Sequence, residues 1–259
     1  MIDLLIGEFK RTWIQTLRYP SEVIGGVVIL TTVFYGIFLS TQYMAGASTA
    51  STFGDRLDAV VVGYVIWTLV LYIVNDIANN LQLEAQTGTL EQVFLSPFGA
   101  PKVFLARAIA SLTLRLLLIV VVLIIIMATT GSRLAFPPLL ILPLATLVTS
   151  AYGLAFFIGS FALVFKKVQQ LLGLFQFVLL FLLATPTENW SGAALLIARA
   201  LPILPSTGLL RDLMARGEAL DWRVWAIALV NGLVYFILGT YVFRWAERQA
   251  KRQGNLGGY

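Results

Sequence analysis

Residues 108–130 read AIASLTLRLLLIVVVLIIIMATT, with Arg115 as the one charged side chain. At 1.5 Å per residue, a helix of this length crosses the roughly 30 Å of a bilayer's hydrocarbon. Lipid offers no water to free amide and carbonyl groups, so so apolar a run must satisfy its backbone internally, as a helix. Comparable runs lie at Val23 to Ser40, Ala59 to Asn75, Leu139 to Phe165, Val168 to Thr185 and Val224 to Trp245. None alternates with the period of two that marks a lipid-facing β-strand. Hydrophobic residues make up 59% of the chain and charged residues 12%, against roughly 45–50% and 25% in a soluble domain. The expected fold class is all-α integral membrane: one domain, residues 1–259, with six transmembrane helices.

Lys and Arg in the connections set the orientation. Six spans put both termini on one side. That side collects Lys10, Arg11, Arg18, Lys102, Arg107, Lys166, Lys167, Arg244, Arg248, Lys251 and Arg252, whereas the short loops opposite hold Arg56 and Arg133. Both termini are therefore expected in the cytoplasm. The connection from Thr187 to Arg223 carries four arginines on the outside, but Asp212, Glu218 and Asp221 accompany three of them and long loops weigh little in this rule. A net charge of +5 in a soluble protein would point to nucleic acid; here the cations sit at membrane edges, where they meet anionic lipid.

The N-terminal segment reads as an interfacial helix. At 100° per residue Ile2, Leu5, Ile6, Phe9, Trp13 and Leu17 fall in one arc, while Glu8, Lys10, Arg11, Gln15 and Arg18 occupy the other face. Such a helix lies flat, with apolar groups in the acyl boundary and cations such as Lys10 and Arg11 among headgroups. Tyr19-Pro20 ends it, because the residue before proline is pushed out of the α region. The first apolar run behind this leader fits an uncleaved anchor better than a signal peptide.

Two connections exceed simple turns. Asp76 to Lys102 is too polar to stay in lipid and is expected to project into the cytoplasm. Asn75 to Ala85 has no breaker and should continue the second span; Gly88 interrupts, Thr89 to Leu95 reads as a short amphipathic helix, and Ser96-Pro97 stops it. The bland reading of this stretch is a solvated acidic loop. On the other side, the apolar stretch Gly192 to Pro202 is too short to span and reads as re-entrant or interfacial, with a second short helix at Ser206 to Arg216. Gly131 to Pro138 and Lys166-Lys167 read as tight turns.

Chemistry within the chain is not expected. There is no Cys and no His, which removes disulfides, thiolate metal sites, the usual general base and the commonest transition-metal ligand. No Gly-Lys dipeptide occurs, so no phosphate-cradling P-loop is present. Neither catalytic nor metal-ligating residues are assigned.

The string Glu84-x-x-x-Gly88-Thr89-Leu90-Glu91, followed by Ser96-Pro97, resembles the first cytoplasmic loop of ABC-2 type permeases, the membrane subunits of one class of ABC exporter. An amphipathic N-terminal helix (1–19), a cytoplasmic segment (76–102), six spans and an outer loop with paired helices (187–222) extend the resemblance over essentially the whole chain. It implies a multi-pass subunit of a bacterial inner or plasma membrane, a second permease copy forming a homodimer, and two copies of a separate ABC ATPase. ATP and Mg would be handled by that partner, with no cofactor in this chain. In the family the segment matching Glu84 to Pro97 is a coupling helix that docks on the ATPase, with the interfacial helix (Phe9, Lys10, Arg11, Trp13) beside it. Members of the family move drugs, lipids, lipid-linked polysaccharides or ions; here the short outer loops and very apolar spans suggest a hydrophobic or amphipathic solute, drug or lipid-like, with a lipid-linked polysaccharide as the alternative.

Candidate path residues are Tyr64, Trp67, Asn75, Arg115 and Phe175. Each also has a plainer role. The aromatic rings suit core or lipid contact, and Asn75, with Asp76, Asn79 and Asn80, either caps a helix leaving lipid or meets a headgroup or sugar. Arg115 either pairs with Glu22, lines a path for an anion, or snorkels to the headgroups. Gln176 could hydrogen-bond across a dimer or within one subunit. A secondary transporter would place acidic groups mid-span and repeat its halves, and neither feature is evident.

Overall fold

The computed structural model describes residues 2–45, 50–86, 88, 92, 93, 95, 97–164, 169–184 and 190–252. Its order is α1 (Ile2–Arg18), α2 (Pro20–Ala45), α3 (Ala50–Gln86), α4 (Ala100–Thr130), a 3-10 turn (Pro138–Leu140) leading into α5 (Ile141–Val164), α6 (Gln169–Ala184), α7 (Gly192–Ala200), α8 (Leu204–Met214) and α9 (Trp222–Arg252). No strand occurs among the described residues. Five of these helices are long and apolar enough to cross a membrane, or six if the bent pair α7–α8 counts as one span. The fifth expected span, Val168 to Thr185, is the 16-residue α6, about 24 Å long at 1.5 Å per residue, an apolar helix too short to be among those five.

Local chemistry sets the boundaries. Tyr19 separates α1 from Pro20, the first residue of α2, as the restriction before proline predicts. α4 starts after Gly99 with proline in its first turn, and stops at Gly131, whose left-handed backbone (φ 73°) lets its N–H return to the Met127 carbonyl at 3.0 Å. Asp221 caps α9 by accepting from the backbone N–H of Arg223 at 2.8 Å.

The buried centre is the α3–α5 pair, while α2 sits at the periphery with Ile24, Val28, Ile29 and Leu39 exposed. α3 packs against α4, α5, α6 and α8, and α5 packs along α9. Small residues make that last contact close: a Cβ at Gly239 would collide with the carbonyl of Gly153, and one at Gly232 would lie 2.9 Å from the Thr146 carbonyl oxygen. Helices in lipid gain no hydrophobic drive toward one another, so they rely on such close packing. Arg18, Lys102, Arg107 and Arg248 lie toward one end of the bundle; α7 and α8 lie toward the opposite end.

α7 and α8 meet at 101°. The elbow between them exposes backbone groups that lipid cannot satisfy, and the neighbouring spans supply the partners. Asn231 Nδ2 on α9 lies 3.0–3.2 Å from the carbonyls of Arg199, Ala200 and Leu201, and the Tyr235 hydroxyl donates to Ala200 O at 3.0 Å. Ile203, fully buried with φ 72°, donates its N–H to Ser150 Oγ on α5 at 3.1 Å. Ser150 and Asn231 each lie nine residues inside their helices, so the elbow sits about 14 Å in from the helix starts at 1.5 Å per residue. The two short helices expected in this connection thus form a hairpin bent by 101° and held by α5 and α9.

Candidate coupling site at the basic end

α3 has 37 residues, about 55 Å, so it overshoots the roughly 30 Å hydrocarbon layer. Its last turns place Glu84, buried, beside α4 and against α1. There Arg107 bridges three helices. Its Nε donates to Glu8 Oε1 on α1 at 3.0 Å, and its Nη1 donates to Glu84 Oε1 on α3 at 2.5 Å. The three side chains retain between 12% and 16% exposure, low enough that the pairing is only weakly screened. A guanidinium with two carboxylates in separate directions is a use of arginine that the point charge of lysine does not reproduce. The interfacial helix is thereby tied to both helices that flank the polar segment 76–102.

Of the coupling residues expected from the sequence, Glu84 is in this cluster. Gly88 is exposed with φ 71°, a left-handed conformation that glycine adopts without cost and that ends the α3 path. Pro97 is exposed in a turn before α4. Thr89, Leu90, Glu91 and Ser96 lie outside the described residues, as does the Lys166-Lys167 turn. On α1, Lys10, Arg11 and Trp13 are exposed and Phe9 is half-buried. The helix turns Glu8 and Thr12, from its polar face, toward the protein, while Ile6, Ile14 and Leu17 face outward.

The path candidates do not converge on one surface. Tyr64 is buried, stacks edge-on with Phe34 at 5.3 Å and donates its hydroxyl to Leu30 O at 2.6 Å. Trp67 tilts against Tyr64 at 5.8 Å and approaches Gln176 O at 3.5 Å. Asn75 Oδ1 accepts from Gln176 Nε2 at 3.2 Å, so that glutamine is engaged within its own chain. Phe175 is half-buried against the core. Arg115 stands apart, its guanidinium 4.5 Å from the Tyr72 ring centroid, on a cavity of about 510 Å³ shared by α1, α2, α3 and α4. The side chain of Glu22, its suggested partner, lies outside the described residues.

The family model described as ABC-2 type transporter matches residues 7–214 of the 259. The chain belongs to the ABC-2 type transporter family. No curated protein matches it. As an ABC-2 permease it is the membrane subunit of an ABC transporter, a component that generally is not itself catalytic and that normally works with an ABC ATPase. The matched range contains Glu8, Glu84 and Arg107 together, along with the α7–α8 hairpin.

Two features of this ABC-2 permease were not legible in its sequence. Arg107 reads there only as one more basic-end cation, and Glu8 as one polar position on α1; they are 99 residues apart and nothing local announces their pairing. Arg211 reads as a loop arginine, yet it is 3% exposed on α8, donates to the Leu183 carbonyl, and occupies the space a Cβ at Gly63 would need.

Proposed function

We infer that this ABC-2 permease exports a hydrophobic or amphipathic solute, drug or lipid-like, as a dimer of identical copies served by two ABC ATPase subunits that bind ATP and Mg. The basic end faces the cytoplasm of a bacterial cell, in keeping with the excess of Lys and Arg there. The segment from Glu84 to Pro97 receives the ATPase, with Gly88, Thr89, Leu90, Glu91 and Ser96 forming the docking element. The observation that carries this reading is the Glu8–Arg107–Glu84 bridge: a displacement of the segment pulls directly on the start of α4 and on the interfacial helix. Closure of the ATPase on ATP would then bias the spans between two packings. Very apolar spans and short outer loops favour a solute taken from the membrane or its inner surface.

Glu91→Lys tests the assignment of that segment. It should detach or uncouple the ATPase while the permease still inserts and folds, read by ATPase co-purification and by transport. Undiminished transport with unchanged association would remove the segment from this role.

A further inference from the structure

The cavity behind the interfacial helix is lined from the basic end inward by polar and then apolar side chains. Asp76 on α3 stands level with Ser111 on α4, whose hydroxyl donates to its carboxylate at 2.9 Å. One turn deeper on both helices, about 6 Å further in, Arg115 lies over Tyr72. Beyond Arg115 the wall continues as Leu118 and Val121 on α4, with Val27 opposite on α2. The other lining charges are already spoken for: Arg107 by Glu8 and Glu84, and Arg11 by Glu8 at 3.7 Å. Among the described residues Arg115 has no carboxylate in ion-pair contact. Among the described lining residues, the charges left to a ligand are thus one cation deep and one carboxylate nearer water, beside an apolar slot.

We propose that this cavity is a resident site for a phospholipid whose headgroup ends in a primary ammonium, with the phosphate on Arg115, the ammonium on Asp76 and an acyl chain along Leu118, Val121 and Val27. The order matches such a lipid: chains deepest, phosphate next, ammonium outermost. A guanidinium binds phosphate through charge-assisted hydrogen bonds, and a primary ammonium brings three donors to a carboxylate that has free lone pairs. A choline headgroup carries the same charges but no N–H donor, so it loses the second contact. An anionic headgroup without an ammonium leaves Asp76 no cation beyond Arg115, which the phosphate already engages. The site is independent of the exported solute, so its failure would leave the exporter reading intact.

Native mass spectrometry of the purified complex, exchanged against dioleoyl lipids of a single headgroup, reads the occupancy. Phosphatidylethanolamine should outlast phosphatidylcholine, and R115Q should lower its retention roughly five-fold, the factor one basic residue contributes against lipid phosphate. D76N should abolish the discrimination between the two headgroups. V27W, which fills the apolar slot without touching either charge, should displace the lipid and keeps the test decisive if R115Q does not fold. Equal retention of the two lipids, a preference for phosphatidylglycerol, or unchanged retention in folded V27W would overturn the site.

Discussion

Arg107 is the residue on which the basic end depends. Cutting it to alanine leaves Glu8 and Glu84 close together, mostly buried and without their shared cation. Removing one partner from a charge-assisted pair typically costs about 1.5–3 kcal/mol, more where the remaining charge stays buried. Arg107→Ala should therefore lower the thermal midpoint in detergent, and Arg107→Lys should restore only part of the loss because its ammonium cannot fork to two carboxylates. A double-mutant cycle with Glu84→Ala should return a coupling of about 1–3 kcal/mol; coupling near zero would mean that the bridge is incidental. Sequence reasoning reached Glu84 through its place before Gly88 but not its partners. Charge pairing between distant segments is a product of the packed bundle, whereas a glycine that ends a helix is a local requirement.

Among the elements, the α7–α8 hairpin shows how polar groups within apolar spans are used. Asn231, Tyr235, Ser150 and Thr146 would look unexplained in the sequence of α5 and α9; in the structure the first three satisfy the elbow's backbone, and Thr146 lies 2.9 Å from Ser206 on α8. Asn231→Leu keeps the volume but leaves the carbonyls at the end of α7 without that donor in a low-dielectric setting, at about 1–3 kcal/mol. It should lower the midpoint and raise proteolysis of the 191–203 stretch, with insertion of α9 unchanged; an unaltered midpoint and cleavage pattern would show that water reaches the elbow. The long spans were legible because apolarity sustained over twenty residues has few solutions. The hairpin was legible only as two short helices, since its depth is set by which α5 and α9 side chains meet it. α1 was legible as amphipathic, but not the turn of its polar face toward Arg107.

For the molecule as a whole, one chain provides a peripheral α2, a buried α3–α5 pair, a bent helical hairpin at one end and a charge-bridged cluster at the other. Family membership makes it the membrane subunit of an ABC transporter. The proposed entry of mechanical work through the polar segment between α3 and α4 rests on that cluster, which ties the segment's flanks to α1. ABC-2 permeases normally work with an ABC ATPase. The most direct test is to purify the full-length chain from its native membrane in mild detergent, identify by mass spectrometry what comes with it, and assay ATP hydrolysis. A stoichiometric soluble ABC ATPase with measurable hydrolysis is the expected result. An intact, folded permease that reproducibly arrives without any ATPase would contradict it.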